Sequence, residues 1–267
     1  VKAFTVTVGW AAVALILASC VSVPLTGRRQ LSLIPASTML SMSYQEYGEF
    51  KSGHTLNSDA KQLADVQRVG GRLRAAIERY FAANGLSKQL DGYDWEFNVV
   101  KDEAQNAWVM PGGKVMVYSG IFPVAATEAG LAVVIGHEMA HAVANHGNER
   151  MSQGLLAQFG GAALGAAMQN SPAQTQKLWQ TVYGVSAQYG LVLPYSRTHE
   201  LEADRLGLIF MAMAGYDPNA AVGFWERMAA DSKGAPPEFL STHPASATRI
   251  RAIKAAIPEA MAHHQPR

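Results

Sequence analysis

The chain has 267 residues, 49% of them hydrophobic, enough for one large domain or a domain with a small lobe. Lys and Arg (22) nearly balance Asp and Glu (21), so the charge gives no sign of a nucleic-acid partner. A single Cys excludes both an intramolecular disulfide and a Cys-based metal site.

Lys2 precedes an apolar stretch, Ala3 to Ala18, that runs into Leu17-Ala18-Ser19-Cys20. A basic start, an apolar core of about 7–15 residues and a small-residue boundary read as a secretory signal over residues 1–19. The run is shorter than the ~20 residues a membrane span needs. The Leu-Ala-Ser-Cys ending resembles the lipobox of bacterial lipoproteins. That resemblance implies a lipid anchor on Cys20 and a place on the periplasmic face of the cell envelope, with Val21 pointing to the outer membrane. Residues 20–36 read as a tether, since Pro24, Gly27 and Pro35 disfavour a helix. Arg28 and Arg29 read there as a solvated pair.

A helix is expected over Ser37–Lys51 and a longer one over Ser58–Ala83. In the second, Leu63, Val66, Val69, Leu73, Ile77, Tyr80 and Phe81 recur at three- and four-residue steps, and Asn84-Gly85 closes it. Trp95–Val100 alternates like a half-buried strand. Asn106–Met110 and Lys114–Tyr118 read as two more strands, joined by a Pro111-Gly112-Gly113 turn.

The stretch from Thr127 to Arg150 lacks Pro and is apolar nearly all round, which predicts a buried helix. It contains His137-Glu138-Met139-Ala140-His141. Positions four apart sit one turn apart on one helix face, so both imidazoles can point at one ion. Two neutral imidazoles suit Zn2+, and Glu138 stands where a carboxylate can take a proton from a water at the metal. This is the H-E-x-x-H pattern of zinc metallopeptidases.

Residues 152–194 read as a packed hairpin with a small-residue step at Gly161 and Gly165, then a helix over Gln174–Leu191. The pair reads as plain packing helices or as a lid over the cleft. Ser196 to Ala214, stopped by Gly215, reads as a second site helix. Glu200 and Asp204 share one face, so one can ligate the metal while the other orients a ligand His. Glu202 falls on another face and is expected to be exposed. Asp217 and Pro218 open a further helix carrying Val222, Phe224, Trp225 and Met228. A Pro- and Gly-rich loop over Asp231–Leu240 then delivers His243 just before a last helix, Ala245–Ile257. Residues 258–267 form a tail. His146 and His199 read as structural. No 34-residue periodicity is present, so a tetratricopeptide array is not expected.

Four segments together resemble one family. His-Glu-Met-Ala-His at 137–141 is followed by Glu200-x-x-Ala203-Asp204. Asn106-Ala107-Trp108 leads into Pro111-Gly112-Gly113, and Thr242-His243-Pro244 is followed by Arg249-Ile250. In this order they are similar to the gluzincins that include the HtpX heat-shock proteases, the CAAX prenyl proteases, the mitochondrial Oma proteases and the bacterial peptidases LoiP and BepA. The likeness covers about Tyr44 to Ile257, and with the lipobox-like ending the chain resembles LoiP, a lipoprotein member. It implies an α+β, mostly helical, zincin-like domain over residues 37–257 with a small antiparallel sheet. It further implies one Zn2+ per chain on His137, His141 and Glu200. Asp204 would orient a ligand His, and Glu138 would act as base. His243 would either donate to the oxyanion or occupy the open metal position. Asn106, Ala107 and Trp108 would offer a strand edge to an extended substrate. The expected activity is endoproteolysis of unfolded or misassembled envelope polypeptides. The rival expectation is a latent zinc-bound scaffold with little turnover. Nothing in the sequence gives an oligomeric state.

Overall fold

The computed structural model describes residues 20–57, 59–157, 172–183, 196–231, 239–240, 243 and 247–265. The expected signal segment, the Gly161–Gly165 step, the helix expected beyond Tyr183, and Thr242 and Pro244 lie outside the described residues. The elements in order are β1 (Cys20–Ser22), β2 (Arg29–Leu31), α1 (Ala36–Gly53), α2 (Ala60–Ala83), β3 (Glu96–Val100), β4 (Ala107–Met110), β5 (Lys114–Tyr118) and α3 (Glu128–Val143). They continue with α4 (146–157), α5 (Pro172–Tyr183), α6 (Arg197–Met213), α7 (Ala220–Asp231) and α8 (Ala247–Met261). The mostly helical α+β expectation therefore holds. No helix among the described residues is long and apolar enough to cross a membrane.

The chain divides into two compact units, residues 1–42 with 145–193 and residues 43–144 with 194–267. In the first unit, the expected tether carries a short antiparallel ladder, β1 on β2. Arg28 is not a solvated residue there. Its Nη1 and Nη2 donate to Glu149 Oε1 and Oε2 at 3.0 and 2.8 Å, and that fork-on-carboxylate match overrides simple exposure.

The second unit holds the sheet and the long helices. Asp59 caps α2 by accepting from Lys61 N and Gln62 N at 2.9 and 3.0 Å. At its other end Gly85 takes φ +69°, and Leu86 N returns to Phe81 O at 2.8 Å. The buried stripe runs Val66, Val69, Leu73, Ile77 and Phe81, as the periodicity predicts, while Leu63 and Tyr80 are only half-buried. Gly70 interrupts that stripe because the Phe97 ring of β3 lies against its backbone.

The sheet order is β3-β5-β4. β4 pairs antiparallel with β5 through the turn at 111–113, where Gly112 and Gly113 take φ of +83° and +82°. β3, however, runs parallel to β5, from Glu96 opposite Lys114 to Val100 opposite Tyr118. The sheet is therefore mixed rather than wholly antiparallel. A hairpin forces antiparallel pairing on β4 and β5 only. The longer link from β3 to β4 leaves β3 free to enter the far edge in the other sense. Leu56 bridges to Val100 and covers part of the β3 edge. β4 is the opposite edge strand, and it packs beside α3.

Helix α3 is buried on all sides from Gly130 to Val143, as its apolar surround predicts. Thr127 Oγ1 caps it by accepting from Gly130 N at 3.0 Å. Helix boundaries differ from expectation at three places, the first being that the helix expected over Thr127–Arg150 ends at Val143, with Asn145 at φ +56° before the next helix begins at 146. α7 begins at Ala220 because the side chain of Asp217 caps the preceding turn, accepting from Asn219 N at 2.9 Å. α8, described from Ala247, continues through Pro258 to Met261, past the expected end at Ile257. Fully buried Ala260 anchors its last turn, and Gln265 N beyond it donates to Ala212 O at 3.2 Å, so part of the expected tail is docked.

α3 and α6 cross at two glycines. A Cβ on Gly207 would lie 3.0 Å from His137 N and 3.1 Å from Gly136 C, both backbone atoms that cannot swing aside. Gly207→Ala gains about 1 kcal/mol of helix propensity. Forcing two packed backbones apart costs about 1–3 kcal/mol, so the balance should be destabilising. Thermal unfolding should show the variant melting several degrees lower. An unchanged or higher midpoint would contradict the close crossing.

Candidate metal centre

The crossing of α3 and α6 brings together groups far apart in sequence. His137 and His141, one turn apart on α3, place their Nε2 atoms 3.1 Å from each other. Ser196 caps α6 by accepting from His199 N at 3.2 Å, and Glu200 stands in the first turn behind it. Glu200 Oε1 lies 3.3 Å from His141 Nε2, and Oε2 lies 3.6 Å from His137 Nε2. His243 completes the group. Its Nδ1 is 3.2 Å from His137 Nε2 and 2.9 Å from Glu200 Oε1.

Four ligand atoms, one from each of His137, His141, Glu200 and His243, lie within 4.8 Å of one another, and all four residues are buried. Ligand atoms about 2.0–2.1 Å from one ion in a tetrahedron are about 3.3–3.4 Å apart along each edge. The observed spacings bracket that edge. A donor set of nitrogen and carboxylate oxygen without sulfur suits Zn2+. The charges agree. Glu138, Glu200 and Asp204 are all buried in the centre, with Arg249 their buried cation. Three carboxylates against one guanidinium leave two negative charges uncompensated when the imidazoles are neutral. A dication fits that deficit, whereas isolated buried charge is costly.

Asp204 sits one turn beyond Glu200, and its Oδ1 lies 3.0 Å from His137 Nδ1. With Nδ1 donating to this carboxylate, His137 keeps Nε2 for the centre, as the spacing of Glu200 and Asp204 predicted. Glu138 Oε1 is buried, makes no hydrogen bond, and lies 3.4 Å from His243 Nε2. Burial raises the Glu138 carboxyl above its usual range despite the pull of His243 and His137. Burial would raise Glu200 too, but His243, His141 and Arg249 reverse the effect and hold it well below that range. At Asp204, likewise, Arg249 and His137 outweigh burial and lower the carboxyl. His243 is pulled up against its own burial by Glu200 and Glu138.

Several expectations need correction or completion. Glu202 is buried rather than exposed, because α2, α3 and α8 all pack on α6 and leave little of it open. His199 and His146 are both buried, and neither is among the four residues of the ligand group. The ring of Trp108 packs edge-on against Tyr47 and Phe50, with centroids 6.0 and 5.1 Å apart, so only its backbone belongs to the strand edge. At the start of that strand Asn106 O accepts from Tyr118 N at 3.0 Å, and Ala107 is buried. Gln105 O, just before, accepts from Phe239 N at 3.1 Å, while His243 N donates to Phe239 O at 2.8 Å. Two aromatic residues went unread as part of the site. Phe239 stacks on His243 with centroids 4.7 Å apart, and Trp225 lies edge-on to His137 at 5.9 Å.

A family profile described as Peptidase family M48 matches residues 67–257. The chain is 35% identical over 240 residues to the mitochondrial metalloendopeptidase OMA1 of Schizosaccharomyces pombe, covering 89% of this chain and 66% of that protein. It is 34% identical over 248 residues to the human mitochondrial metalloendopeptidase OMA1, covering 89% of this chain and 46% of that one. With the beta-barrel assembly-enhancing protease of Yersinia pestis it shares 31% identity over 163 residues, 58% of this chain and 33% of the relative. The chain thus spans from a third to two thirds of these relatives' lengths.

The second carboxylate of α6 supplies a direct check on the centre. Asp204→Asn should fold but bind zinc about 10- to 100-fold more weakly, as loss of the group that orients a ligand His generally does. Competition against a chromogenic chelator measures this, and unaltered affinity would remove Asp204 from the centre.

Proposed function

Because the chain belongs to peptidase family M48, we propose that it is a zinc-dependent endopeptidase acting on unfolded or misassembled polypeptides of the bacterial cell envelope. The observation that carries this is the buried Glu138 carboxylate standing beside the converging nitrogens and oxygens of His137, His141 and Glu200. Zinc held by those three residues would supply a Lewis acid that polarises the scissile carbonyl and eases deprotonation of water. Glu138 is the proton carrier. Its ionised carboxylate takes the proton of the attacking water and, as the carboxylic acid, returns it to the leaving amine. Asp204 keeps His137 in the tautomer that presents Nε2. Asn106 and the first residues of edge strand β4, Ala107 and Trp108, offer backbone groups to an extended chain beside α3.

His243 favours a second element of the reading. Its Nδ1 stands among the ligand atoms, so in this conformation it competes with substrate for the centre. Turnover then requires His243 to withdraw, after which its ring is available to a developing oxyanion. Relatives named as endopeptidases weigh against a pure scaffold, as does Glu138, for which a scaffold has no use. The relative named as a beta-barrel assembly-enhancing protease supports an envelope role. The lipobox supports anchoring by lipid on Cys20, after removal of residues 1–19, at the periplasmic face of the outer membrane.

The test compares the chain from Cys20 onward, with Cys20→Ser, against the same protein carrying Glu138→Gln, each with one zinc and unfolded β-casein. Cleavage should fall about 10²- to 10⁴-fold in the Glu138→Gln protein while zinc content is unchanged. Equal cleavage by both would remove Glu138 from the mechanism. His243→Ala should cleave faster than the parent if withdrawal of this ring limits turnover, and more slowly if its donation to the oxyanion dominates.

A further inference from the structure

Arg249 is 3% exposed in the second unit, and its guanidinium reaches Asp204, Glu200, His137 and the backbone of His243. Nε and Nη2 donate to Asp204 Oδ2 and Oδ1 at 2.6 and 2.8 Å, a two-pronged grip. Nη1 donates to the His243 carbonyl at 3.1 Å and lies 2.7 Å from Glu200 Oε2. The Glu200 contact is ionic rather than a well-aligned hydrogen bond, since Oε2 has no partner of good geometry. Nη2 also lies 3.3 Å from both ring nitrogens of His137. The flat face of the guanidinium rests on Trp225, 3.7 Å from the ring centroid, which fixes the plane of the fork.

From this arrangement we infer that Arg249 is the positioning residue of the metal centre, holding Glu200 Oε2 aside so that Glu200 faces the ion through Oε1 alone. The inference rests on the zinc reading above and adds a coordination mode to it. Oε1 is the oxygen turned toward His141 and His243, while Oε2 is 2.7 Å from Arg249 Nη1 and farther, at 3.6 Å, from His137 Nε2. A carboxylate with both oxygens unclaimed can chelate an ion and raise its coordination number. With one oxygen claimed by a fixed cation it remains a single-point ligand, and a four-coordinate site is kept. The same guanidinium aligns Asp204, which holds His137, so two of the three proposed ligands take their orientation from one side chain. Lysine cannot replace it. A single ammonium lacks the planar fork that engages Asp204 at two points while reaching Glu200 and stacking on Trp225.

The test uses the full chain from Cys20 with Cys20→Ser, loaded with one equivalent of Co2+ in place of zinc, and compares Arg249→Met and Arg249→Lys with the parent. Circular dichroism reports folding, chelator competition reports affinity, and the visible d–d bands of Co2+ report coordination number. Both variants are expected to bind metal about 10- to 100-fold more weakly. Their d–d bands should weaken relative to the parent as coordination number rises. Should Arg249→Met fail to fold, Arg249→Lys, which keeps a buried cation, decides the question. Folded variants with parental affinity and parental bands would reduce Arg249 to a packing residue and overturn the inference. A parent chain that takes up no metal would instead overturn the zinc reading, and this inference with it. A parent that binds with the expected bands while the variants do not differ overturns the inference alone.

Discussion

The centre depends on how closely two helices approach. His137 and His141 belong to α3, while Glu200 and Asp204 belong to α6, and an ion can be shared only if the two backbones nearly touch. Gly136 and Gly207 allow this, for a side chain at either would meet backbone of the other helix. Each glycine weakens its own helix by about 1 kcal/mol relative to alanine. The burial of α3 from Gly130 to Val143 and of most of α6 offsets that loss many times over. Local propensity is given up at one point so that side chains four residues apart on each helix can meet in the middle.

The same packing sets what lies around the centre. β5, buried at every position, is the middle strand of the sheet, and its neighbour β4 is the edge that runs beside α3. α8 returns over α6 and α7 and inserts Arg249 against Trp225. Phe239 ties two features together, because its N–H reaches Gln105 at the head of β4 and its carbonyl holds His243 N. The edge strand and the fourth group of the centre therefore share one short piece of chain.

What the sequence disclosed follows a simple division. Contacts within one turn of helix were legible: His137 with His141, Glu200 with Asp204, the buried stripe of α2 and the turn at 111–113 all follow from local periodicity and turn chemistry. Contacts that need the tertiary fold were not. Glu202 was misread because face arguments assume that one side of a helix meets water, and α6 is covered by three neighbours. The direction of β3 was misread because alternation reports which face is buried but not which way a partner runs. His243, which alone reads as an ordinary loop residue, entered through resemblance. Arg249 likewise entered only as part of a resembling segment, and it is the return of α8 over α6 that reveals its contacts with both Glu200 and Asp204.

Stability by itself gives no reason for such a centre. Replacing a buried ion cluster by apolar side chains of similar volume is commonly neutral or stabilising, whereas removing one member costs about 3–5 kcal/mol. Here Glu138, Glu200 and Asp204 are buried around a single guanidinium, and Glu138 Oε1 has no hydrogen bond at all. A core selected for stability would contain leucine at these positions. The surplus negative charge makes sense when the centre is completed by a dication. Of the three carboxylates, Glu138 is the one without an ion pair to Arg249, and it is then the group left able to change its protonation during a reaction.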